Sequence, residues 1–466
     1  MRTVISNKIR VYDCSIELFW WCKDNLVITN PDWATLMRLG KEDTINRKNV
    51  PSELKLYSEY NGGLDLELPF GTLLAVWPYI KNSEYELRFN DNGQVIDQNM
   101  KISMPLYDYQ EEAVRKLLAA KGGVLQASAG SGKTQIGIDL IKRIGKNALW
   151  ICGKTDLLNQ TISRIHSLYP NIAVGKITDG EVQMVENGIT VSTVQTLIHV
   201  DREIYAKKFD TVVVDECHAC VSAPTKMKMF GRVVGNIAAR YKYGLTATPS
   251  RSDTMIKAMY AILGCNLHGE FAPVHIIEKD KTNTLTAKHI RVDLDTPFSY
   301  DTLDEAGMLD YAALIDFLSR NEKRNQAIVD NVIKVMDKHK KQLVLCSRKE
   351  HCETINKMLQ DRGVKSVLLM GDVAKGKRKK ILTGVTDWNV IVATTSLCKE
   401  GLDMPELSCL HWAMVIGDKV ATIQSAGRIE RVFEGKPEPE IYDYVDINYP
   451  YCIGKWKKRV AFLRKR

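Results

Sequence analysis

A glycine-rich loop between an apolar strand and an amphipathic helix most narrowly constrains the fold of this 466-residue chain. The strand is predicted at residues 123–126 and the helix at residues 135–144. The loop between them reads Ala127-Ser-Ala-Gly-Ser-Gly-Lys-Thr134. A helix that starts after a tight turn directs unpaired backbone N–H groups at one point, where they can bind phosphate. The segment therefore predicts a nucleotide-binding α/β domain.

The loop follows the phosphate-loop pattern G-x-x-x-x-G-K-[ST], except that alanine replaces its first glycine. Lys133 is predicted to reach the β- and γ-phosphates of ATP, and Thr134 to bind Mg²⁺ through its hydroxyl. The predicted phosphate-binding residues are Ala127, Ser128, Ala129, Gly130, Ser131, Gly132, Lys133 and Thr134.

Two carboxylates follow the apolar run Val212-Val-Val214, at Asp215 and Glu216. A strand that ends in this way places them at the carboxyl edge of a parallel sheet, where open α/β folds bind ligands. Asp215 is predicted to hold Mg²⁺, and Glu216 to orient and deprotonate the attacking water. The loop and the carboxylates together predict an ATP-hydrolysing site.

Apolar strands continue to alternate with amphipathic helices on both sides of residue 280, which predicts two α/β domains with parallel sheets. Strands are expected at 148–152, 189–192, 211–214, 242–245, 342–346, 366–369 and 390–393, and helices at 301–340, 352–362 and 375–384. Residues 1–100 combine short strand-like runs with turn signals and predict a small accessory module. Within that module Trp20 and Trp21 are expected in the core.

Composition narrows the class of protein further. Residues 1–100 carry 11 basic and 14 acidic side chains, a net charge of −3. The whole chain has a net charge of +9, so residues 101–466 carry +12. Excess positive charge suits a polyanion, although it equally describes a mildly basic enzyme. Eleven scattered cysteines suit a reduced compartment, and a metal site at Cys217-x-x-Cys220 is disfavoured. No apolar run is long enough to span a membrane and no targeting signal is evident, so a cytoplasmic location is expected.

Further motifs resemble those of superfamily 2 helicases and translocases, in the order that this family has them. Asp215-Glu-Cys-His218 is similar to the DECH box, and Leu106-Tyr-Asp-Tyr-Gln110 resembles the element whose glutamine reads adenine. Leu245-Thr-Ala-Thr-Pro249 resembles the coupling motif. The nucleic-acid-facing motifs of the first domain resemble residues 154–160 and 192–196, and the fourth, fifth and sixth motifs resemble residues 345–348, 393–405 and 424–431.

This resemblance implies an α/β fold of two tandem RecA-like domains with parallel sheets, preceded by a small α+β N-terminal module. The expected domains are 1–100, an accessory module and candidate DNA-binding module; 101–270, the ATP-binding domain; and 271–466, the C-terminal helicase domain. The DECH box is more similar to DNA helicases, including UvsW-like phage proteins.

The resemblance also assigns site residues. Arginines of the sixth motif would meet the γ-phosphate, and their spacing predicts a shared helix face for Arg428 and Arg431. The further nucleotide-binding residues implied are Gln110, Gly401, Asp403 and Gln424. The coupling residues implied are His218, Thr246 and Thr248. The nucleic-acid-binding residues implied are Lys154, Thr193, Gln195, Arg348 and Thr394.

Two basic clusters could contact nucleic acid. One is at residues 375–380, where an ordinary exposed helix face is the alternative. The other is the tail at 455–466, with seven Lys or Arg and interleaved Trp456 and Phe462, where a helix closing the second domain is the alternative.

The leading hypothesis is an enzyme, a nucleic-acid-stimulated ATPase that uses ATP and Mg²⁺ to move along or unwind DNA, single-stranded or branched. An RNA helicase of the same superfamily is one alternative. A nucleic-acid-binding protein in which ATP acts only as a switch is another. The sequence leaves polarity, junction preference and oligomeric state open.

Overall fold

The structure is a computed structural model that describes residues 1–92, 96–97, 104–128, 130–153, 155–247, 255–278, 285–370, 381, 386–395, 404–415 and 417–464. The chain divides into two compact units, Met1–Lys281 and Thr282–Arg466. In the described part, no helix is long and apolar enough to cross a membrane.

The first unit begins with a small α+β module. Its elements are β1 (Arg2–Ile5), β2 (Lys8–Tyr12), α1 (Ile16–Asn25), β3 (Val27–Thr29), α2 (Pro31–Arg38), α3 (Glu42–Lys48), β4 (Glu53–Lys55), β5 (Ser58–Tyr60), β6 (Asp65–Pro69), α4 (Leu73–Ile80) and β7 (Glu84–Leu87). Five strands form one sheet in the order β5-β6-β2-β1-β7, and β3 pairs with β4. Alternate residues of β2 and β6 are buried, since one face of this sheet covers the core under α1.

The module packs on the α/β domain that follows it. Cys265 donates its backbone N–H to the carbonyl of Gly71 at 3.0 Å. The ring of Trp21 stacks on that of Phe271, with centroids 6.4 Å apart. Trp20 is 58% exposed, so the expectation that it is a core residue is wrong. Trp20 follows Phe19 in α1 and lies on the exposed side of that helix. The buried residues of α1 are Leu18 and Cys22.

The ATP-binding domain has an eight-stranded sheet. Its elements are α5 (Asp108–Ala120), β8 (Gly122–Ala127), α6 (Lys133–Ile144), β9 (Ala148–Cys152), α7 (Thr155–Leu168), β10 (Ala173–Thr178), β11 (Glu181–Gln183), β12 (Gly188–Thr193), α8 (Val194–Leu197), α9 (Arg202–Tyr205), β13 (Thr211–Asp215), α10 (Pro224–Val233), β14 (Tyr241–Thr246), α11 (Ile256–Leu263) and β15 (His275–Ile277).

The strand order is β11-β10-β12-β9-β13-β14-β8-β15, and every pair is parallel except β10 with β11. Two apolar clusters form the core of this unit alongside the sheet. β8, β13 and β14 are neighbours, so the segments that follow them meet at one edge of the sheet. Strand β15 lies beyond the predicted boundary at 270 and still pairs with β8, so residues 271–278 belong with the first unit.

The second unit holds a six-stranded sheet in the order β16-β21-β20-β17-β19-β18, parallel throughout. Its elements are β16 (Lys288–Leu294), α12 (Tyr311–Arg320), α13 (Glu322–Lys334), β17 (Gln342–Cys346), α14 (Lys349–Asp361), β18 (Ser366–Leu369), β19 (Val390–Thr394), β20 (Cys409–Trp412), α15 (Lys419–Ile429), β21 (Glu440–Asp446) and α16 (Pro450–Arg464). With the sheet of the first unit, it confirms the predicted α/β class with parallel sheets.

The helix predicted over 301–340 is two helices. Asn321 ends α12 and caps α13, where its side chain accepts a hydrogen bond from the Arg324 N–H. The helix predicted near 375–384 and the basic cluster Lys375, Lys377, Arg378, Lys379 and Lys380 fall outside the described residues.

Candidate active site

The phosphate loop lies between the end of β8 and the first turn of α6. Gly130 and Gly132 have φ angles of 86° and 80°, in the left-handed region that favours glycine. Ala127 is the last residue of β8 and keeps a strand conformation. The absent first glycine is therefore explained, because this position does not need glycine's conformational freedom. Ala129 falls outside the described residues.

Gln110 braces this loop from α5. Its Nε2 donates to the carbonyl of Ser131 at 2.9 Å, and its Oε1 accepts from the Tyr107 N–H at 3.0 Å. The side chain is buried. A Cβ atom at Gly132 would lie 2.2 Å from Gln110 Nε2, so a side chain at this position would displace the Gln110 amide. Gln110, predicted to read adenine, thus contacts the phosphate loop.

Lys133 joins the loop to the predicted catalytic carboxylate. Its Nζ donates to the carbonyls of Ala127 at 3.2 Å and Ser128 at 3.5 Å, and lies 3.7 Å from Glu216 Oε1. The hydroxyls of Ser128 and Ser131 are buried, with no protein hydrogen-bond partner in the described structure. Buried hydroxyls are normally satisfied, so these fit a site that completes its hydrogen bonds with a ligand.

Asp215 and Glu216 differ in backbone and environment. Asp215 ends β13, and its Oδ1 accepts from the Glu216 N–H at 3.0 Å. Burial raises the pKa of Asp215 to about 7; the negative charge of Glu216 adds to the rise and Lys133 opposes it. Glu216 has φ 47°, a left-handed conformation rare for a residue with a side chain. Such strain is often kept where it aims a functional group.

The predicted coupling residues connect the ends of β13 and β14. His218 Nδ1 lies 2.8 Å from Thr246 Oγ1 and 3.4 Å from Glu216 Oε2. The Ala247 N–H donates to Glu216 Oε2 at 3.4 Å. A shift of the segment after β14 would therefore change the contacts of the Glu216 carboxylate. The contact of Ala247 is made by its backbone, so no pattern of residue types could reveal it. Thr248 lies outside the described residues.

The residues present fit a magnesium ion that is held mainly by other ligands. Asp215 offers a half-buried carboxylate at the end of β13, and Thr134 stands in the first turn of α6. Among the described residues, no group of three or more His, Cys, Asp or Glu side chains is placed to hold a metal. Mg²⁺ commonly takes one or two protein oxygens and completes its shell with phosphates and water.

The sixth-motif residues lie in the second unit. Gln424 and Arg428 are on α15, but that helix ends at Ile429, before Arg431. The predicted helix face shared by Arg428 and Arg431 is therefore wrong. The carbonyl of Arg431 accepts a hydrogen bond from Lys436 Nζ at 2.8 Å, which fixes the turn that follows the helix. Gly401 and Asp403 fall outside the described residues.

The predicted nucleic-acid contacts differ in exposure. Thr193 is buried, and its hydroxyl caps α8 by accepting from the Thr196 N–H at 3.1 Å, whereas Gln195 is exposed. Arg348 has a 42% exposed side chain and pairs with Asp316 at 3.0 Å. Thr394 ends β19. Lys154 lies outside the described residues.

The basic tail is largely the helix α16, packed on the second unit. Arg459 is buried and makes two hydrogen bonds to Asp443, at 2.8 and 2.6 Å. Trp456 lies under the Arg291 guanidinium, 4.3 Å from ring centroid to Cζ. Both residues therefore hold the helix to the sheet, as the structural alternative expected, whereas Lys457 and Lys458 are exposed.

Known families match both halves of the chain in order. Residues 103–251 match the res subunit of type III restriction enzymes, and residues 323–433 match the helicase conserved C-terminal domain. The first match spans the phosphate loop and the DECH box. The second spans the sixth motif.

Three curated relatives are similar at 24–25% identity. A probable helicase of Escherichia phage T5 is 25% identical over 69% of this chain and 67% of its own length. A putative ATP-dependent RNA helicase of Acanthamoeba polyphaga mimivirus is 24% identical over 90% and 80%. The DNA 3'-5' translocase XPB2 of Sulfurisphaera tokodaii is 24% identical over 76% and 84%.

Among solved structures, T4 UvsW aligns with 99% of this chain and 96% of its own, at 17% identity and a TM-score of 0.41. The matched domains and their order agree with the two α/β units described above. The chain is a superfamily 2 helicase, a family of nucleic-acid-dependent ATPases.

Proposed function

We propose that this protein is an ATP-dependent DNA translocase or helicase. One observation carries the proposal: Lys133 Nζ lies 3.7 Å from Glu216 Oε1, so the phosphate loop and the hydrolytic carboxylate share one sheet edge. DNA is favoured as the polymer because a relative similar over three quarters of this chain is a DNA translocase.

Each group has a distinct part in hydrolysis. Lys133 and the N–H groups of the loop bind the β- and γ-phosphates. Glu216 orients the attacking water and accepts its proton. When bound, Mg²⁺ neutralises charge on the phosphates, and Asp215 and Thr134 are the residues that would hold it. Gln110 keeps the loop in place through Ser131.

The second unit is proposed to contribute Arg428 and Arg431. A guanidinium that neutralises charge on the transferred phosphoryl group is worth about 10³–10⁵ in rate in other nucleotide hydrolases. Arg428→Ala is therefore expected to retain ATP binding and lose hydrolysis. Coupling of ATP binding and hydrolysis to movement along the polymer would pass through His218 and Thr246.

The test is the ATPase rate with no polymer, single-stranded DNA, branched DNA and RNA. We expect DNA to stimulate hydrolysis. Lys133→Ala and Glu216→Gln should each lower the stimulated rate by about 10² or more. Lys208→Ala, at an exposed lysine outside the site, serves as the control. Hydrolysis that survives both site substitutions would contradict the assigned site.

The same measurement separates the alternatives. Stimulation by RNA alone would favour an RNA helicase, which the mimivirus relative makes a specific rival. ATP binding without turnover on any polymer would favour a switch. A strand-displacement assay then separates a helicase from a translocase that moves without unwinding.

A further inference from the structure

Two tyrosines meet at the surface of the second unit, outside every motif assigned above. Tyr311 is the first residue of α12 and Tyr451 the second residue of α16. Their ring centroids are 5.8 Å apart and their planes are inclined by 58°. Asp310 caps α12 by accepting from the Ala312 and Ala313 N–H groups, which fixes the backbone at Tyr311. Tyr311 is 48% exposed.

This exposure is not explained by the core below. The apolar cluster beneath the two rings is built from buried residues such as Leu314, Leu318 and Tyr449. Tyr449 fills it with 1% exposure. A large aromatic ring that is half in water contributes little to such packing, whereas a nucleotide base could cover it.

A cation stands on each side of the pair. Arg348 precedes α14, and its guanidinium pairs at 3.0 Å with Asp316 of α12, the helix that Tyr311 begins, so the cation stands beside that helix and phosphate would compete with Asp316 for it. Lys455 Nζ lies 4.9 Å from the centroid of the Tyr451 ring. A Cβ atom at Gly417 would come within 2.7 Å of Lys455 Nζ, so glycine at 417 leaves room for the lysine.

An acidic segment borders this surface. Residues 295–310 contain five Asp or Glu and no Lys or Arg. Phosphates would be repelled there and attracted to the side of Arg348 and Lys455. Tyr300 is 82% exposed on the acidic segment, and therefore offers an aromatic residue that should not contact the strand.

We propose that Tyr311 and Tyr451 form a base-stacking surface for single-stranded DNA, with Arg348 and Lys455 binding the phosphates beside it. The inference rests on the proposed function and extends it from single predicted contacts, of which Arg348 is one, to a defined surface. Aromatic side chains stack on every base, so this surface would bind without sequence preference.

The test is the affinity of the full chain for a fluorescent oligo-dT and a matched oligo-U, measured by anisotropy at several salt concentrations. Tyr311→Ala and Tyr451→Ala should each weaken oligo-dT binding about 5-fold or more, with the salt dependence unchanged. Tyr311→Phe keeps the ring and should bind as the unaltered chain does. Arg348→Gln and Lys455→Gln should each reduce the slope of log K against log salt by about 0.7.

Tyr300→Ala is the matched control and should bind as the unaltered chain does. Normal oligo-dT binding by Tyr311→Ala and Tyr451→Ala, or an equal loss in Tyr300→Ala, would overturn the inference. A loss confined to oligo-U would overturn the assignment to DNA. If these tyrosine variants bind normally while DNA still stimulates ATP hydrolysis, the base-stacking proposal is wrong and the proposed function stands. If no polymer stimulates the unaltered chain, the proposed function fails.

Discussion

Gly132 shows how one residue can be constrained twice. Its φ of 80° favours glycine, and a side chain there would collide with the Gln110 amide that braces the loop. Gly180 separates the two constraints, because its φ is 102° but nothing lies within 4 Å of a Cβ placed there. A substitution at either position strains the backbone, but only one displaces a neighbour at the nucleotide site.

We therefore expect Gly132→Ala to lower ATP affinity and hydrolysis at least about 10-fold, because Gln110 must leave the Ser131 carbonyl. Gly180→Ala should cost about 1 kcal/mol of stability and leave both properties unchanged. Titration with a fluorescent ATP analogue and a steady-state ATPase assay make the comparison. Equal losses in the two variants would assign the effect to backbone strain alone.

At the scale of elements, the site depends on which strand ends are neighbours. Asp215 pairs with Leu245 across β13 and β14, so Glu216 and Thr246 follow side by side although 30 positions separate them. The hydrogen bond between His218 and Thr246 spans this pair. It is a direct side-chain link between the DECH box and the coupling motif.

Thr246→Val removes that hydroxyl at nearly constant volume. We expect ATP affinity to persist and DNA stimulation of hydrolysis to fall several-fold, since the hydrogen bond between His218 and the segment that follows β14 would be lost beside Glu216. Thr211→Val is the matched control: Thr211 is buried on β13, and its hydroxyl has no hydrogen-bond partner within the described structure. The ratio of stimulated to unstimulated rates, with the ATP Kd, tests this. A similar fall in both variants would point to a change in the sheet.

Elements with continuous apolar runs could be predicted closely. The strands at 148–152, 342–346 and 366–369 have the predicted bounds, because buried parallel strands are read from local hydrophobicity. The break between α12 and α13 depends on one cap, Asn321, and the end of α15 separates Arg428 from Arg431. β15 has three residues and joins its sheet only through long-range pairing, which no local pattern records.

At the scale of the molecule, the first unit contains a junction between the N-terminal module and the ATP-binding sheet. Lys242, on β14, is fully buried there, and its Nζ lies 5.5 Å from the centroid of the Phe70 ring, which belongs to the module. Its ammonium has no hydrogen-bond partner in the described structure. Burial lowers the pKa of Lys242 from its ordinary 10.5 to about 7.

The pH dependence of the stability of this unit follows from the lowered pKa of Lys242. Between about pH 7 and 10.5 the unfolded chain binds a proton at Lys242 that the folded chain does not, so folding becomes more favourable as pH rises. The destabilisation is fully present below pH 7, where the folded protein must bury a charged ammonium. It disappears above pH 10.5, where both states are neutral. Each pH unit within the window changes the free energy of unfolding by up to about 1.4 kcal/mol.

Lys242→Met keeps the apolar stem and removes the amine, so it should stabilise the first unit. The gain in Tm should be several degrees at pH 6.5 and should shrink towards zero by pH 10, measured for the transition of this unit by differential scanning calorimetry. Lys208→Met, at an exposed lysine, should show no such trend. A gain that is the same at both pH values would mean that packing against Phe70, and not the buried charge, sets the stability of this junction.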